Sequence, residues 1–231
     1  MEYSQEEFNK MVNDYTSFTT HEKKIQVNNK DISIIWPDCD KQTFQVITYD
    51  WTQHHHKILN YFNKDTANVV VQAGGCCGLY PLLYGQVFKK VITFEPDPLN
   101  FYCLSNNCKG NQFIKMNAAL SDKNDVKMLT IHGIDNVGMH SFADGPSKIP
   151  VLSMTIDSLN LSELSLIQLD VEGHELEALK GAVKTIKKFK PILMIEITSN
   201  EEETIKYIEK LGYKIDDVFG FEKNYIFLPT T

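Results

Sequence analysis

Asn68-Val69-Val70-Val71-Gln72-Ala73-Gly74-Gly75-Cys76-Cys77-Gly78-Leu79-Tyr80-Pro81 is the stretch that decides how this chain folds. Residues 69–71 form a β-branched run suited to a parallel strand buried on both faces. A glycine-rich turn follows directly, and glycine lets the backbone come close to a ligand. Pro81 falls in the first turn of the next helix, where a missing N–H costs little. The strand after it, residues 91–94, carries Glu95 at its carboxyl end, the edge at which open α/β sheets bind ligands.

Glu95 lies 17 positions beyond Gly78, close to the spacing of about 20 at which a carboxylate reaches ribose hydroxyls. The dinucleotide fingerprint G-x-G-x-x-G fails, because counting from Gly74 puts Cys76 and Leu79 at the second and third glycine positions. No Gly-Lys-Ser/Thr follows the turn, so a P-loop fails too. S-adenosylmethionine, with a ribose and no phosphate, fits what remains.

Further out, residues 24–27 and 32–36 flank the polar Asn28-Asn29-Lys30-Asp31 and predict a hairpin. Residues 51–63 read as a helix entering the sheet domain. Asp97 as N-cap, Pro98 at the first helical position and Gly110 past the end bracket a second core helix. Residues 113–117 give a third strand, and 126–131 a further strand or hairpin arm. Residues 166–169 form a short buried strand ending in Asp170, and Leu176, Leu179, Val183 and Ile186 recur at the spacing of a helix packed on the sheet. Residues 192–197 make another strand. Ser199 with Glu202 reads as a capping box for a helix that stops at Gly212, and residues 213–215 and 225–228 close the sheet. This alternation predicts a doubly wound α/β domain over residues 51–231, behind a small N-terminal cap over residues 1–50.

Three blocks resemble a known family: Gln72 to Tyr80, then Phe94-Glu95-Pro96-Asp97, then Asp170-Val171-Glu172-Gly173-His174-Glu175-Leu176-Glu177-Ala178-Leu179-Lys180-Gly181-Ala182. They are similar to the FkbM-type S-adenosylmethionine-dependent methyltransferases, with weaker echoes at Asn117 to Asp122, Asn136 to Ser141, Thr155 to Leu159 and Pro191 to Glu196. The resemblance implies a Rossmann-like, seven-stranded class I methyltransferase sheet whose last strand is antiparallel. It implies cofactor contacts from Gln72, Ala73, Gly74, Gly75, Gly78, Glu95, Pro96, Asn117, Ala118 and Asp170. Acceptor contacts are expected from His140, Ser141 and Glu196. Two positions depart from the family pattern. Gln72 stands where an acid is usual, so its contact to the cofactor's amino group becomes a neutral hydrogen bond, and Gln168 replaces a usual lysine.

The chemistry implied is in-line methyl transfer to an oxygen, helped by alignment and by a base that removes the hydroxyl proton. His174 has the most suitable unperturbed pKa, with Asp170 and Glu172 beside it. Acids at a helix start also favour its macrodipole, and that plainer role is assigned to Glu175 and Glu177. Two alternatives stand beside an O-methyltransferase of a sugar or other small metabolite: a cofactor-binding protein that has lost catalysis, or another Rossmann-like nucleotide enzyme.

Composition sets the boundaries. The chain has 231 residues, 42% of them hydrophobic, enough for a sizeable core. Its formal charge is −7 and all 23 basic residues are lysines, which counts against a nucleic-acid partner. No apolar run is long enough to cross a membrane, and the polar, acidic first ten residues are unlike a signal peptide. A cytoplasmic protein acting on a small-molecule or glycan acceptor is expected. Cys39, Cys76, Cys77, Cys103 and Cys108 are read as reduced thiols. His54-His55-His56 lacks the i, i+4 pairing of helical zinc sites, so no metal is expected.

Overall fold

The computed structural model describes residues 18–27, 30–53, 55–133, 135–145, 148–220 and 223–230. Strand β3 (Val69–Ala73) is buried along its whole length. Val69, Val71 and Ala73 enter one apolar core and Val70 the other, as a central parallel strand covered on both faces requires. Around it the sheet runs β5 (Phe113–Met116), β4 (Lys90–Phe94), β3, β9 (Leu166–Leu169), β10 (Ile192–Glu196), β12 (Asn224–Pro229), β11 (Tyr213–Phe219). Strand β12 pairs antiparallel with both neighbours, whereas the other pairings are parallel. The chain therefore reverses its winding between β3 and β9, so the loops after these two strands meet at one crevice.

Helix α2 (Leu79–Tyr84) leads from the glycine turn towards β4. Helix α3 (Pro98–Asn107) starts as the sequence predicts: Asp97 accepts hydrogen bonds from the N–H groups of Leu99 at 2.8 Å and Asn100 at 3.0 Å. Strands β1 (Thr20–Val27) and β2 (Lys30–Pro37) form the expected hairpin, whose turn residues Asn28 and Asn29 lie outside the described residues. Asn107 of α3 holds this hairpin through Ile35, accepting from its N–H at 2.8 Å and donating to its carbonyl at 2.9 Å.

Three expectations are corrected. The helix placed at residues 51–63 is instead α1 (Thr43–Gln53) followed by a 3-10 turn (His55–Tyr61). Its start is set by Asp40, whose carboxylate accepts from the N–H groups of Thr43 and Phe44, each at 3.0 Å. The single helix over Leu176 to Ile186 is two, α4 (Glu175–Lys180) and α5 (Val183–Phe189). Asp157 makes the break by donating its N–H to the Gly181 carbonyl and capping Lys184 and Thr185 with its carboxylate. The Ser199 and Glu202 capping box does not form, because α6 (Glu201–Lys210) starts at Asn200 with φ 50° and no side-chain cap. The further strand expected at residues 126–131 is present as β7 (Asp125–Thr130), antiparallel to β8 (Lys148–Met154) in a separate three-stranded sheet with β6 (Ala119–Leu120). Pro150 hides β8 from a propensity reading, since proline is rare inside strands.

Candidate active site

The glycine turn is shaped by packing. A Cβ on Gly74, where φ is 81°, would stand 1.8 Å from the Asp170 carbonyl oxygen, and one on Gly75 would stand 2.5 Å from Leu104. The glycines thus let the two loops and α3 close on each other, and only Gly74 of Gly74, Gly75 and Gly78 reaches the cleft beside them.

Glu95 is held from two sides. Its carboxylate accepts from the Cys76 N–H at 2.6 Å and the Asp97 N–H at 2.8 Å, with only 5% of the residue exposed. Burial, reinforced by the Asp97 charge, pushes its pKa up to about 8 against the pull of those hydrogen bonds. The group lines a cleft of about 740 Å³, within the range of roughly 300–1,000 Å³ typical of small-molecule sites. Ala73, Gly74, Pro96, Ala118 and Asp170 line the cleft with it, and so do Glu172, His174, His140, Ser141 and Glu196.

Besides Gly75 and Gly78, two of the expected cofactor residues, Gln72 and Asn117, turn elsewhere. Gln72 is fully buried and accepts a hydrogen bond from the Thr93 hydroxyl, while its register partner across to β9 is Gln168, also fully buried. Among the described residues, Gln72 Nε2 and both amide atoms of Gln168 have no hydrogen-bond partner. The two departures from the family pattern are therefore neighbours inside the sheet, and neither side chain lines the cleft. Asn117 donates to the carbonyls of Glu95 at 2.9 Å and Pro96 at 3.1 Å, which fastens the loop after β4 instead of lining the cleft.

At the β9 end, Glu172 with φ 53° and Gly173 with φ 88° turn the chain sharply. The loop is pinned by Glu175, 2% exposed, whose carboxylate accepts from the N–H groups of Val171 at 3.2 Å and Gly173 at 3.1 Å. A bare helix-dipole role for Glu175 is thereby corrected. His174 packs on the Phe142 ring, and its Nε2 lies 3.0 Å from Ser121 Oγ. Ser121 also donates to Asp122 at 3.1 Å, and on the other side of the ring Nδ1 stands 3.9 Å from the Glu177 carboxylate. Burial, assisted by the Lys127 charge, lowers the His174 pKa despite Glu177 and keeps the ring neutral.

His140 behaves oppositely. Nδ1 donates to Asp97 at 2.8 Å and Nε2 to the Gly133 carbonyl at 3.1 Å, so both nitrogens carry protons. Burial opposes that charge, but Asp97 and the Gly133 carbonyl outweigh it and raise the pKa. This ion pair ties the loop over the cleft to the cap of α3. Its stabilisation should be complete below the unfolded value of about 6.5 and lost as pH rises through the higher folded value. Melting temperatures of the wild type and a His140→Gln variant, compared from pH 5.5 to 9, should therefore converge as pH climbs. Parallel curves would show that the pair contributes nothing.

The sequence reading missed the wall built by α1, where Thr43, Gln45, Val46, Ile47 and Tyr49 line the cleft. The Thr43 hydroxyl donates to Asn136 at 2.8 Å and accepts from the Gly138 N–H at 3.0 Å, stitching α1 to the His140 loop. Asp40, three residues before Thr43, was the available signal for a helix start. Ser141 lies within 2.7 Å of His132 through its hydroxyl, and Glu196 accepts from Asn224 at 3.2 Å. All five cysteines are free. No group of His, Cys, Asp and Glu able to hold a metal occurs among the described residues, and of the three adjacent histidines His54 lies outside them. No described helix is long and apolar enough to cross a membrane.

Comparison with known proteins bears on this geometry. Among solved structures, methyltransferase FkbM from Methylobacillus flagellatus is similar over 71% of this chain, with 19% identity and a TM-score of 0.52. The chain spans 44% of that protein's length, so the likeness speaks for the fold. Magnesium protoporphyrin IX methyltransferase from Synechocystis is similar over 80% of this chain and 83% of its own, with 13% identity and a TM-score of 0.49. No curated protein matches the chain. The profile of the methyltransferase FkbM domain matches residues 84–215, more than half of the sequence and the span that contains Glu95, Asp170 and His174. The chain thus belongs to the FkbM methyltransferase family, and its open seven-stranded sheet is the class I fold of S-adenosylmethionine-dependent methyltransferases.

Proposed function

We propose that the protein transfers the methyl group of S-adenosylmethionine to a hydroxyl of a sugar or another small metabolite. The observation that carries this reading is Glu95, a carboxyl group fixed by two backbone N–H groups in a cleft that Glu172 and His174 also line. The fit to the cofactor is chemical: a held carboxylate accepts from both ribose hydroxyls, and an acidic cleft suits a sulfonium cation.

When bound, the cofactor supplies an activated methyl group. The protein's own work is alignment and proton removal. Glu95 and the Gly74 turn orient the nucleoside, with Ala73, Pro96 and Ala118 against it. Asp170 stands where the two loops meet, and His174, held neutral by burial, takes the acceptor's proton. Glu172, His140, Ser141 and Glu196 shape the acceptor's side of the cleft. Gln72 and Gln168 motivate the inactive-protein alternative, but they do not line the cleft, so that reading has no support in the site.

Calorimetric titration with S-adenosylmethionine tests the proposal. Glu95→Ala should weaken binding by about 2 kcal/mol, roughly 30-fold, and Glu95→Gln by less. Since the ionised form accepts the ribose hydroxyls, wild-type affinity should rise with pH and level off above about 8. Unchanged affinity in the alanine variant would remove the ribose assignment.

A further inference from the structure

Strand β7 ends the small sheet, with β8 on one side and an open edge on the other. At Thr130 that edge is closed by the loop over the cleft. The Thr130 N–H donates to the Ser141 carbonyl at 2.8 Å, and the Ser141 N–H to the Thr130 carbonyl at 3.3 Å. Bonding direction alternates along a strand, so Val126 and Met128 aim their N–H and C=O groups at the same edge. Among the described residues, the Val126 N–H is taken by the Asp125 side chain at 2.7 Å, and the other three groups bond to no part of the chain. The side chains beside this edge are apolar. Val126, 58% exposed, stands opposite Leu152, 60% exposed, and Met128, 48% exposed, stands opposite the exposed Pro150, so the four share one outer face. Single exposed apolar residues are ordinary, but four neighbours along an unpaired edge mark a pairing surface. The large sheet guards its own edge: β11 shifts register between Ile215 and Asp217 and exposes Asp216, a bulge and a charge that keep another strand away.

We infer that the open edge of β7 receives the same edge of a second copy of this chain. The charge order Asp125-Val126-Lys127 selects that occupant. Two antiparallel copies of β7, with their Val126 residues facing each other on a two-fold axis, set Asp125 of each copy opposite Lys127 of the other. Neither residue forms an ion pair among the described residues. On pairing, Asp125 turns to the facing lysine and releases the Val126 N–H to the facing Val126 carbonyl, while Met128 bonds to Asn124 of the second copy. The adjacent hydrogen-bonding registers set Lys127 against Lys127 or Asp125 against Asp125, so like charges disfavour both. Contact between the apolar side chains across the axis adds the gain from covering hydrophobic surface.

Sedimentation equilibrium of the whole protein tests this. The wild type should pass from one to two chains per particle with a dissociation constant of roughly 10 µM, the strength of an interface below standard size. Val126→Pro removes an N–H that the pairing needs and that does not bond to β8, so it should weaken association by about tenfold or more with little change in melting temperature. Asp125→Lys and Lys127→Asp each set like charges opposite one another and should also weaken association by about tenfold. Two rescues distinguish a lost contact from a damaged fold. The double variant Asp125→Lys/Lys127→Asp should dimerise like the wild type, and a mixture of the two single variants should form a heterodimer tighter than either homodimer. Should the proline variant lose its fold, the charge variants decide alone. A wild type that stays monomeric up to about 500 µM overturns the inference. So does a dimer that Asp125→Lys and Lys127→Asp both leave intact, or the failure of both rescues.

Discussion

Replacing Gln72 by glutamate should lower folding stability by about 3 to 5 kcal/mol at neutral pH, the usual cost of an uncompensated charge inside a protein. Gln72 has no exposed surface, and its neighbours across the sheet are Thr93 and the amide of Gln168, none of them cationic. The new carboxylate would keep its proton to avoid the cost, so its folded pKa would stand above the unfolded value of about 4.3. The sign of the linkage follows: the folded state holds the extra proton, and stability falls as pH rises between the two values. The loss should therefore be greater at pH 8 than at pH 5. Adding Gln168→Lys should recover much of it, because the lysine would stand beside the new acid on the same face of the sheet. Gln168→Met alone should be near neutral or stabilising, since it removes two buried polar atoms that have no partner among the described residues. Denaturant unfolding of the single and double variants gives the coupling energy. Wild-type stability in Gln72→Glu, or a gain in cofactor affinity, would place that side chain at the ligand after all.

Asp170→Asn and His174→Ala should each slow methyl transfer by about 10²-fold or more while leaving S-adenosylmethionine affinity nearly unchanged, as expected for a lost orienting or proton-accepting group. Both residues belong to the loop after β9, which β3 separates from the β4 end that carries Glu95. Burial lowers the His174 pKa, so the wild-type rate should rise with pH through a value below the ordinary 6.5 and then stay flat. The alanine variant should lose that rise. Rates and cofactor affinities measured on the same preparations, with a probe glycoside as acceptor, separate the roles. A His174 variant with near-wild-type turnover would leave that residue as a loop anchor on Ser121 and shift proton removal to Asp170 or Glu172.

Much of the fold was legible in residue order. The β-branched run before the glycine turn, the Asp97-Pro98 start of α3 and the alternation of strands and helices led to the doubly wound sheet, and the sheet is there. These signals are local: a cap, a turn or a buried strand is specified by residues within a few positions of one another. The same locality carried Glu95, Asp170 and His174 to a sheet's carboxyl edge, because a strand end is a local feature and the edge follows from parallel winding.

Signals that cross the chain were not legible. Asp157 divides what periodicity joined into one helix, and it acts across more than twenty residues. Nothing local says that Gln72 and Gln168 are register partners, that the glycines at positions 74 and 75 make room for Asp170 and Leu104, or that His140 is charged by Asp97. Nor does it show α1 as a wall of the cleft, which depends on Thr43 reaching Asn136 and Gly138. The amino-acid order by itself determined the sheet's winding and the edge where chemistry can occur, since both follow from short-range propensity and strand direction. Only the tertiary structure decided which side chains face the cleft and in what charge state, because orientation, burial and pairing are set by residues distant in sequence that the fold brings within hydrogen-bond reach.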